Sequence, residues 1–565
     1  MLVPLGVDRL EATVRWRDYL FVQEGGAGSA KKGPAVAVPG SGGLFLEVTA
    51  PTLRVCDTAG LLAGTRSVSV FLVNGRPPMV EEKEDEAKAF QAQIVLACEK
   101  PFVPRADAHA LSHDDWDEKV ADLQFRDAFE FAVGHGVATN AKERNSECRE
   151  VETEWLPSSE VERVEPADTS GVELRMERLA AMETAAEIQA ALEELPKAYG
   201  RWIEANRKIA LDGQRAETTR ELMTDAAVAR TRIEDGLARL SEPDVLAAFR
   251  LANRTMAQSG RRRRAQLRGG DPAVLPEPAW RPFQLAFLLM NLDPMARPGE
   301  CPDRDTVDLL FFPTGGGKTE AYLGLAAFTL VLRRLRNQGR ESGGVSVLMR
   351  YTLRLLTLDQ LSRAAALICA LELEREKDTA ALGPWPFEIG LWVGRGATPN
   401  RMGAKGDRNP EHTARHKTIR YRKEDKKNPP PIPLEACPWC GTRFTRDSFR
   451  LGPNEDRPTD LRIGCRNPKC DFKGDRPLPI LTVDSCAALS NVESHLRDGH
   501  PGGNRPVRLH ITESRQVTGI RATRGPKRPS AKLQAEDQPG LRLDRPWPLP
   551  CASSRGRRRR SDSSC

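Results

Sequence analysis

Residues 311–319 read FFPTGGGKT. Glycines, a lysine and a threonine in this order have the chemistry of a phosphate-gripping turn. Glycine lets successive backbone N–H groups crowd around an anion, and a following helix N-terminus adds a partial positive charge. Lys318 can reach the β- and γ-phosphates of a nucleotide, and Thr319 can offer its hydroxyl to Mg²⁺. Thr314, Gly315, Gly316 and Gly317 complete the turn, so ATP and Mg²⁺ are the expected cofactors. The spacing G-x-x-x-x-G-K-[ST] is not met, because position 312 is Phe. A second constellation lies in ACPWCGTRF (436–444) and GCRNPKCDF (464–472). Cys437 and Cys440 are a C-x-x-C pair, and Cys465 and Cys470 form a slightly wider one. Two such knuckles place four thiolates around one Zn²⁺ with no open catalytic position. A redox pair is the alternative for the first two cysteines, and the second pair argues against it.

These residues need elements to position them. DLLFF (308–312) is a continuous apolar run that reads as a buried parallel strand, and TEAYLGLAAFTLVLRRLR (319–336) reads as a helix with basic residues at its C-terminal end. GVSVLMR (344–350), TLDQLSRAAALICALELERE (357–376) and PFEIGLWVG (386–394) continue as strand, helix and strand. This alternation predicts a doubly wound parallel sheet with the glycine turn at a strand-to-helix junction. Upstream, residues 172–259 are rich in Ala, Leu, Glu and Arg with apolar residues at three- and four-residue steps, which predicts amphipathic helices broken at Pro196 and at Ser241-Glu-Pro. SGRRRRAQLRGGDPAVLPEPAW (259–280) has the composition of a linker. Residues 1–135 alternate between strand candidates, such as TRSVSVFLVNGRPP (65–78) with its Asn-Gly turn and FQAQIVLACEK (90–100), and Gly- and Pro-rich spacers.

The form PTGGGKT resembles motif I of superfamily 2 helicases. On that resemblance, Phe283 and Gln284 in WRPFQLAFLL (280–289) stand where an upstream glutamine motif reads adenine; as residues alone they equally suit the buried face of an amphipathic helix. Arg350, Thr352, Arg354 and Gln360 stand where motif Ia meets the nucleic-acid backbone, and Arg and hydroxyl groups suit phosphate oxygens without reading sequence. The alternative is that they are helix-start and surface residues. FFPTGGGKTEAYLGLAAFTLVLRRLR, VLMRYTLRLLTLDQLSRAAALICALE and GLWVGRGATPN together resemble the helicase of the DISARM anti-phage system over about residues 280–480. FEFAVGHGVA (129–138) is a less specific upstream match. The resemblance implies an ATP-driven motor acting on DNA with other subunits of a phage-defence system. The fold class expected is multidomain α/β. It has a β-rich N-terminal region (1–170), a helical domain (171–260) and a basic Pro/Gly linker (261–279). An incomplete RecA-like domain (280–480) follows, with a zinc ribbon inserted at about 434–475, and then a disordered tail (481–565).

Such a motor also needs an Asp-Glu-x-x box and a second RecA-like domain. No Asp-Glu pair follows Thr319. The tail is rich in Arg, Pro, Ser and Gly, which cannot bury enough apolar surface to order itself. A shift of reading frame near residues 479–485 would account for where the resemblance stops. Three functional readings stand: a truncated helicase, a non-enzymatic nucleic-acid-binding fragment using the zinc ribbon, and another phosphate-loop NTPase. The chain has 565 residues, 39% of them hydrophobic and 29% charged, enough for several packed domains. No stretch approaches the ~20 apolar residues of a membrane span, and no secretory leader opens the chain, so a cytoplasmic protein without membrane partners is expected. Net charge is +7, with runs at Arg261–Arg264 and Arg557–Arg560, which read as solvated surface or as nucleic-acid contact. The other cysteines are expected to be buried fillers, and His113 and His135 ordinary packed or surface residues.

Overall fold

The computed structural model describes residues 20–21, 35–49, 68–80, 85, 87–90, 92–105, 115–144, 147–158, 169–310, 315–337, 342–351, 354–392, 398–399, 401–482 and 507–513. The expectation of a disordered tail therefore falls outside the described residues, apart from 481–482 and 507–513. His113 also lies outside them. Contacts divide the chain into two compact units: Met1–Glu162 with Ala210–Arg220, and Arg163–Ile209 with Glu221–Cys565.

The first unit is rich in sheet, as its alternating segments predict. β1 (Leu20–Phe21) pairs parallel with β3 (Leu44–Thr49), and β2 (Val36–Ala37) and β4 (Ser69–Asn74) pair with β3 antiparallel. β5 (Val95–Phe102), β6 (Ala138–Arg144) and β7 (Glu147–Glu154) form a second sheet in the order β5-β7-β6. α1 (Trp116–Gln124) starts where the Asp115 carboxylate accepts from the N–H groups of Asp117 and Glu118 at 2.9 and 3.2 Å, a helix cap. His135 is exposed.

The second unit begins with helices: α2 (Met176–Ala181), α3 (Ala185–Leu192), α4 (Glu194–Arg207), the greater part of α5 (Gly213–Arg239) and α6 (Pro243–Arg268). Their periodic apolar faces make the core, with Leu179, Ile188, Leu192, Leu240 and Phe249 fully buried. The break expected at Pro196 is present: α3 ends at Leu192, four residues before it, and α4 starts at Glu194. Pro196 then sits in the first turn of α4, where a missing N–H has no intrahelical partner to lose. The Ser241-Glu-Pro break is present, with Glu242 at the N-cap of α6 and Pro243 at its first position. The expected linker is a departure, because α6 continues through the arginine run to Arg268 and ends at Gly269, whose φ is +75°. Arginine is a good helix former, and this run has partners on the helix's flanks.

α7 (Pro282–Met290) and α8 (Leu292–Ala296) follow, then α9 (Lys318–Arg336), β8 (Gly344–Tyr351), α10 (Arg354–Lys377), α11 (Thr379–Leu382) and β9 (Phe387–Trp392). The strand expected at 308–312 is not formed over its described part. Residues 308–310 are irregular, Asp308 is held by both guanidinium nitrogens of Arg232 at 2.6 and 2.9 Å, and Leu309 is 57% exposed. After α12 (Ala414–Lys423), the hairpin of β10 (Phe449–Gly452) and β11 (Asp460–Ile463) carries the cysteine ribbon.

β12 (Val507–Glu513) lies between β8 and β9, parallel to both, with Val507 opposite Gly344 on one side and Phe387 on the other. On the other edge of β9, the Ile389 N–H donates to the Pro479 carbonyl at 3.1 Å, and the Leu481 N–H donates to that of Ile389 at 2.8 Å. Arg334 fastens α9 to the start of β9. Its guanidinium donates to the Trp385 carbonyl at 2.7 Å and lies 5.1 Å above the Phe387 ring. Burial, and then the neighbouring Arg375, draw its pKa down to about 10. The architecture is thus mixed α/β: a short parallel sheet flanked by α9 and α10, joined to a helical region and a cysteine ribbon.

Candidate functional site

The glycine turn sits where the chain enters α9. Gly315 and Gly317 have φ of +83° and +91°, in the left-handed region that favours glycine. Among the described residues, a Cβ on Gly315 would meet nothing within 4 Å. A Cβ on Gly317 would meet the Gln284 amide nitrogen at 2.7 Å and a Glu320 carboxylate oxygen at 3.5 Å. α9 begins at Lys318, with Gly317 as its cap.

α7 supports the turn from behind. The Gln284 side-chain amide donates to the Gly317 carbonyl at 2.7 Å, and its oxygen accepts from the Arg281 N–H at 2.8 Å. The Arg281 guanidinium donates to the Gly316 carbonyl at 2.6 Å. Two carbonyls are thereby held back, which leaves the N–H groups of the turn and the start of α9 to face an anion. Gln284 is buried and Phe283 is half-buried against the core. α7 is itself held in place at its N-terminal end by Trp280, two residues before its start. The Trp280 indole donates to the buried Asn253 amide oxygen at 2.7 Å, and the Trp280 N–H donates to the Leu174 carbonyl at 2.8 Å. Beyond the turn, Glu320 is ion-paired with Arg363 of α10.

The other expected contact residues divide. Arg350 is exposed on β8, and Gln360 is half-buried in α10 with its amide donating to Asp359 at 3.2 Å. Arg354 opens α10, and Thr314 and Thr352 lie outside the described residues. Arg281, Glu320 and Arg363 complete the support of the turn and were not picked out by sequence. Glu320, adjacent to Thr319 in GKTE, was the one signal available.

Cys437, Cys440, Cys465 and Cys470 converge, with all four sulfurs within 4.8 Å of one another. Sγ of Cys437 and Cys470 are 3.9 Å apart, and those of Cys440 and Cys465 are 3.4 Å apart. Tetrahedral Zn–S bonds of about 2.3 Å put sulfurs about 3.8 Å apart, so the donor set fits one Zn²⁺. Backbone N–H groups of Asn467 and Phe472 point at the sulfurs of Cys465 and Cys470, both at 3.5 Å, the environment a thiolate needs. Gly441, with φ +76°, closes the first knuckle. Crowded against one another, the thiols of Cys437 and Cys440 split. Their mutual hydrogen bond holds the Cys437 pKa up and that of Cys440 down. A dication removes that conflict, since it lets all four be thiolates.

The ribbon is docked on α6. Arg262 pairs with Asp471 at 2.9 Å and lies 4.6 Å above the Trp439 ring, whose indole donates to the same Asp471 at 2.6 Å. Gln266 donates to the Pro438 carbonyl at 2.9 Å. Arg476 stacks 5.1 Å from Phe472 and is ion-paired with Glu376 of α10.

Fold and site together define a mixed α/β protein in which a glycine-lysine-threonine turn opens a helix beside a parallel sheet, with a four-cysteine ribbon docked nearby. No family model matches the chain. It is 32% identical over 446 residues to the DISARM protein DrmA of Bacillus paralicheniformis (strain ATCC 9945a / NCIMB 11709 / CD-2), an alignment that covers 74% of this chain. The chain spans 38% of the length of that relative. The resemblance to the DISARM system helicase drawn from the glycine turn and its neighbours is therefore supported across most of the chain. No helix among the described residues is long and apolar enough to cross a membrane.

Proposed function

We propose that this chain is the nucleotide-binding part of an ATP-driven DNA helicase or translocase of superfamily 2 type that acts in anti-phage defence with other subunits of the system, in the cytoplasm. The observation that carries this reading is the Gly315–Lys318 turn, with its left-handed glycines and its carbonyls drawn back by Arg281 and Gln284. In this reading the backbone from Thr314 to Gly317 cradles the phosphates. Lys318 neutralises their charge, and Thr319 holds Mg²⁺. Phe283 packs beside the nucleotide, while Gln284 fixes the shape of the turn. Bound ATP with Mg²⁺ supplies the phosphoryl group whose transfer to water drives movement. Arg350, Thr352, Arg354 and Gln360 line the DNA path, and the ribbon holds a structural Zn²⁺. The region from α7 to Ile480 corresponds to a first RecA-like lobe.

A second reading rests on the four-cysteine ribbon, whose sulfurs all lie within 4.8 Å of one another. In it the chain is a non-enzymatic nucleic-acid-binding protein that uses the zinc ribbon and does not hydrolyse ATP. One experiment separates the two readings: ATP hydrolysis with and without DNA, for the natural sequence and Lys318→Ala. DNA-stimulated hydrolysis that disappears in Lys318→Ala supports the motor. Salt-sensitive DNA binding with no hydrolysis supports the binding protein. Failure to bind any nucleotide removes both the motor reading and the assignment of the turn.

A further inference from the structure

The run Arg261–Arg264 lies in the last turns of α6. Three of its members have evident structural partners. Arg261 pairs with Glu177 of α2 at 2.7 Å and donates to the Pro272 carbonyl at 3.2 Å. Arg262 fastens the cysteine ribbon. Arg264 donates to the Pro276 carbonyl at 2.7 Å. Arg263 differs: it is half-buried and, among the described residues, has no hydrogen-bond or ion-pair partner. The side chains within its electrostatic reach are Arg363, Asp359 and Glu320. Glu320 is paired with Arg363, and Asp359 accepts from Gln360.

Among the described residues, the positive charge of Arg263 therefore has no bonded counter-ion: it feels Arg363 and Glu320, the residue after Thr319, and that carboxylate is already paired. A half-buried cation with a like charge for a neighbour is unfavourable in isolation. Burial first, then Arg363, lowers the Arg263 pKa, yet a guanidinium stays charged at neutral pH. An anion arriving at the glycine turn would relieve that cost, and guanidinium groups suit phosphate oxygens. The Glu320 carboxylate lies against Gly317, 3.5 Å from where a Cβ would stand, so the Arg363–Glu320 pair adjoins the turn itself, and α6, which carries Arg263, packs on both helices of that pair, α9 and α10.

We propose that Arg263 is a phosphate-responsive residue that the helical region contributes to the nucleotide site. It engages the terminal phosphate of a nucleoside triphosphate bound at the Gly315–Thr319 turn, and Arg363 stays on Glu320 to hold the turn's first helical residues. This rests on the nucleotide-binding reading above. Because α6 also carries Arg262 and Gln266, the same helix that feels the phosphate holds the cysteine ribbon.

The test is nucleotide affinity of the full chain by calorimetry, with a non-hydrolysable ATP analogue and with ADP, for the natural sequence, Arg263→Ala, Arg263→Lys and Lys318→Ala. Thermal melting confirms that each variant is folded. Arg263→Ala is expected to weaken the triphosphate analogue about tenfold or more, the worth of one charge-assisted contact, and to leave ADP within about twofold. Arg263→Lys is expected to recover part of the loss. Arg263→Ala binding both nucleotides like the natural sequence overturns the inference and leaves the assignment of the turn standing. Loss of salt-dependent DNA binding with unchanged nucleotide affinity also overturns it, in favour of a nucleic-acid phosphate. A natural sequence that binds neither nucleotide sinks this inference together with the reading beneath it.

Discussion

The glycine turn depends on single atoms. Gly317 combines a left-handed backbone with a Gln284 amide that leaves no room for a methyl group. Gly317→Ala is therefore expected to disturb both the cap of α9 and the bond to Gln284. Nucleotide affinity should fall at least tenfold with a drop of only a few degrees in thermal midpoint, which calorimetry and melting would show. Gln284→Ala is expected to weaken binding less, because Arg281 still holds the Gly316 carbonyl. Gly315, Gly316, Gly317, Lys318 and the four cysteines were legible in the sequence, because their spacing is local and chemistry fixes it. Arg281, Arg263 and Arg363 were not, since an arginine shows in sequence only its charge. Whether it meets a carbonyl, an aromatic ring or nothing is decided by packing between helices distant along the chain.

At the level of elements, periodicity served well where a helix has one buried face. α9 and the helices from α2 to α6 lie close to their expected places. It misled at the arginine run, where composition suggested a linker and α6 instead continues to dock the ribbon. It also misled at 308–310, the described part of the apolar run that promised a strand, where the Arg232–Asp308 pair anchors irregular chain. The ribbon should behave as a metal-dependent element. One Zn²⁺ per chain is expected, and chelation or Cys470→Ser should expose Trp439, now 3% accessible, with a red shift of its emission. A second test concerns the close approach of α5 to α7. A Cβ on Gly236 would stand 1.9 Å from the Leu289 carbonyl oxygen. Gly236→Ala is therefore expected to cost about 2–4 kcal/mol in denaturant unfolding, since backbone cannot yield as a flexible side chain does.

For the whole molecule, charge is organised as arginine–carboxylate pairs more than as a uniform basic surface. Hydrogen bonds from Arg175, Arg261 and Arg297 hold the carboxyls of Glu173, Glu177 and Asp293 below the ordinary range. A carboxylate whose pKa is depressed on folding contributes stability that is complete above its unfolded value, near pH 4, and is lost as pH falls through the folded one. Thermal stability is thus expected to be level with respect to these groups from about pH 7 to 5 and to fall below about pH 4, and Asp293→Asn should flatten part of that fall. The parallel sheet has a different kind of consequence. Among the described residues, β8 and β9 are joined through β12, and the whole cysteine ribbon lies between β9 and β12 in sequence. During synthesis the ribbon and its docking helix therefore emerge complete, while the two outer strands wait with an unfilled gap between them. Final closure of the sheet is a long-range event in which the last-made strand inserts between two already present. Its rate is set by how well the earlier parts hold that gap open.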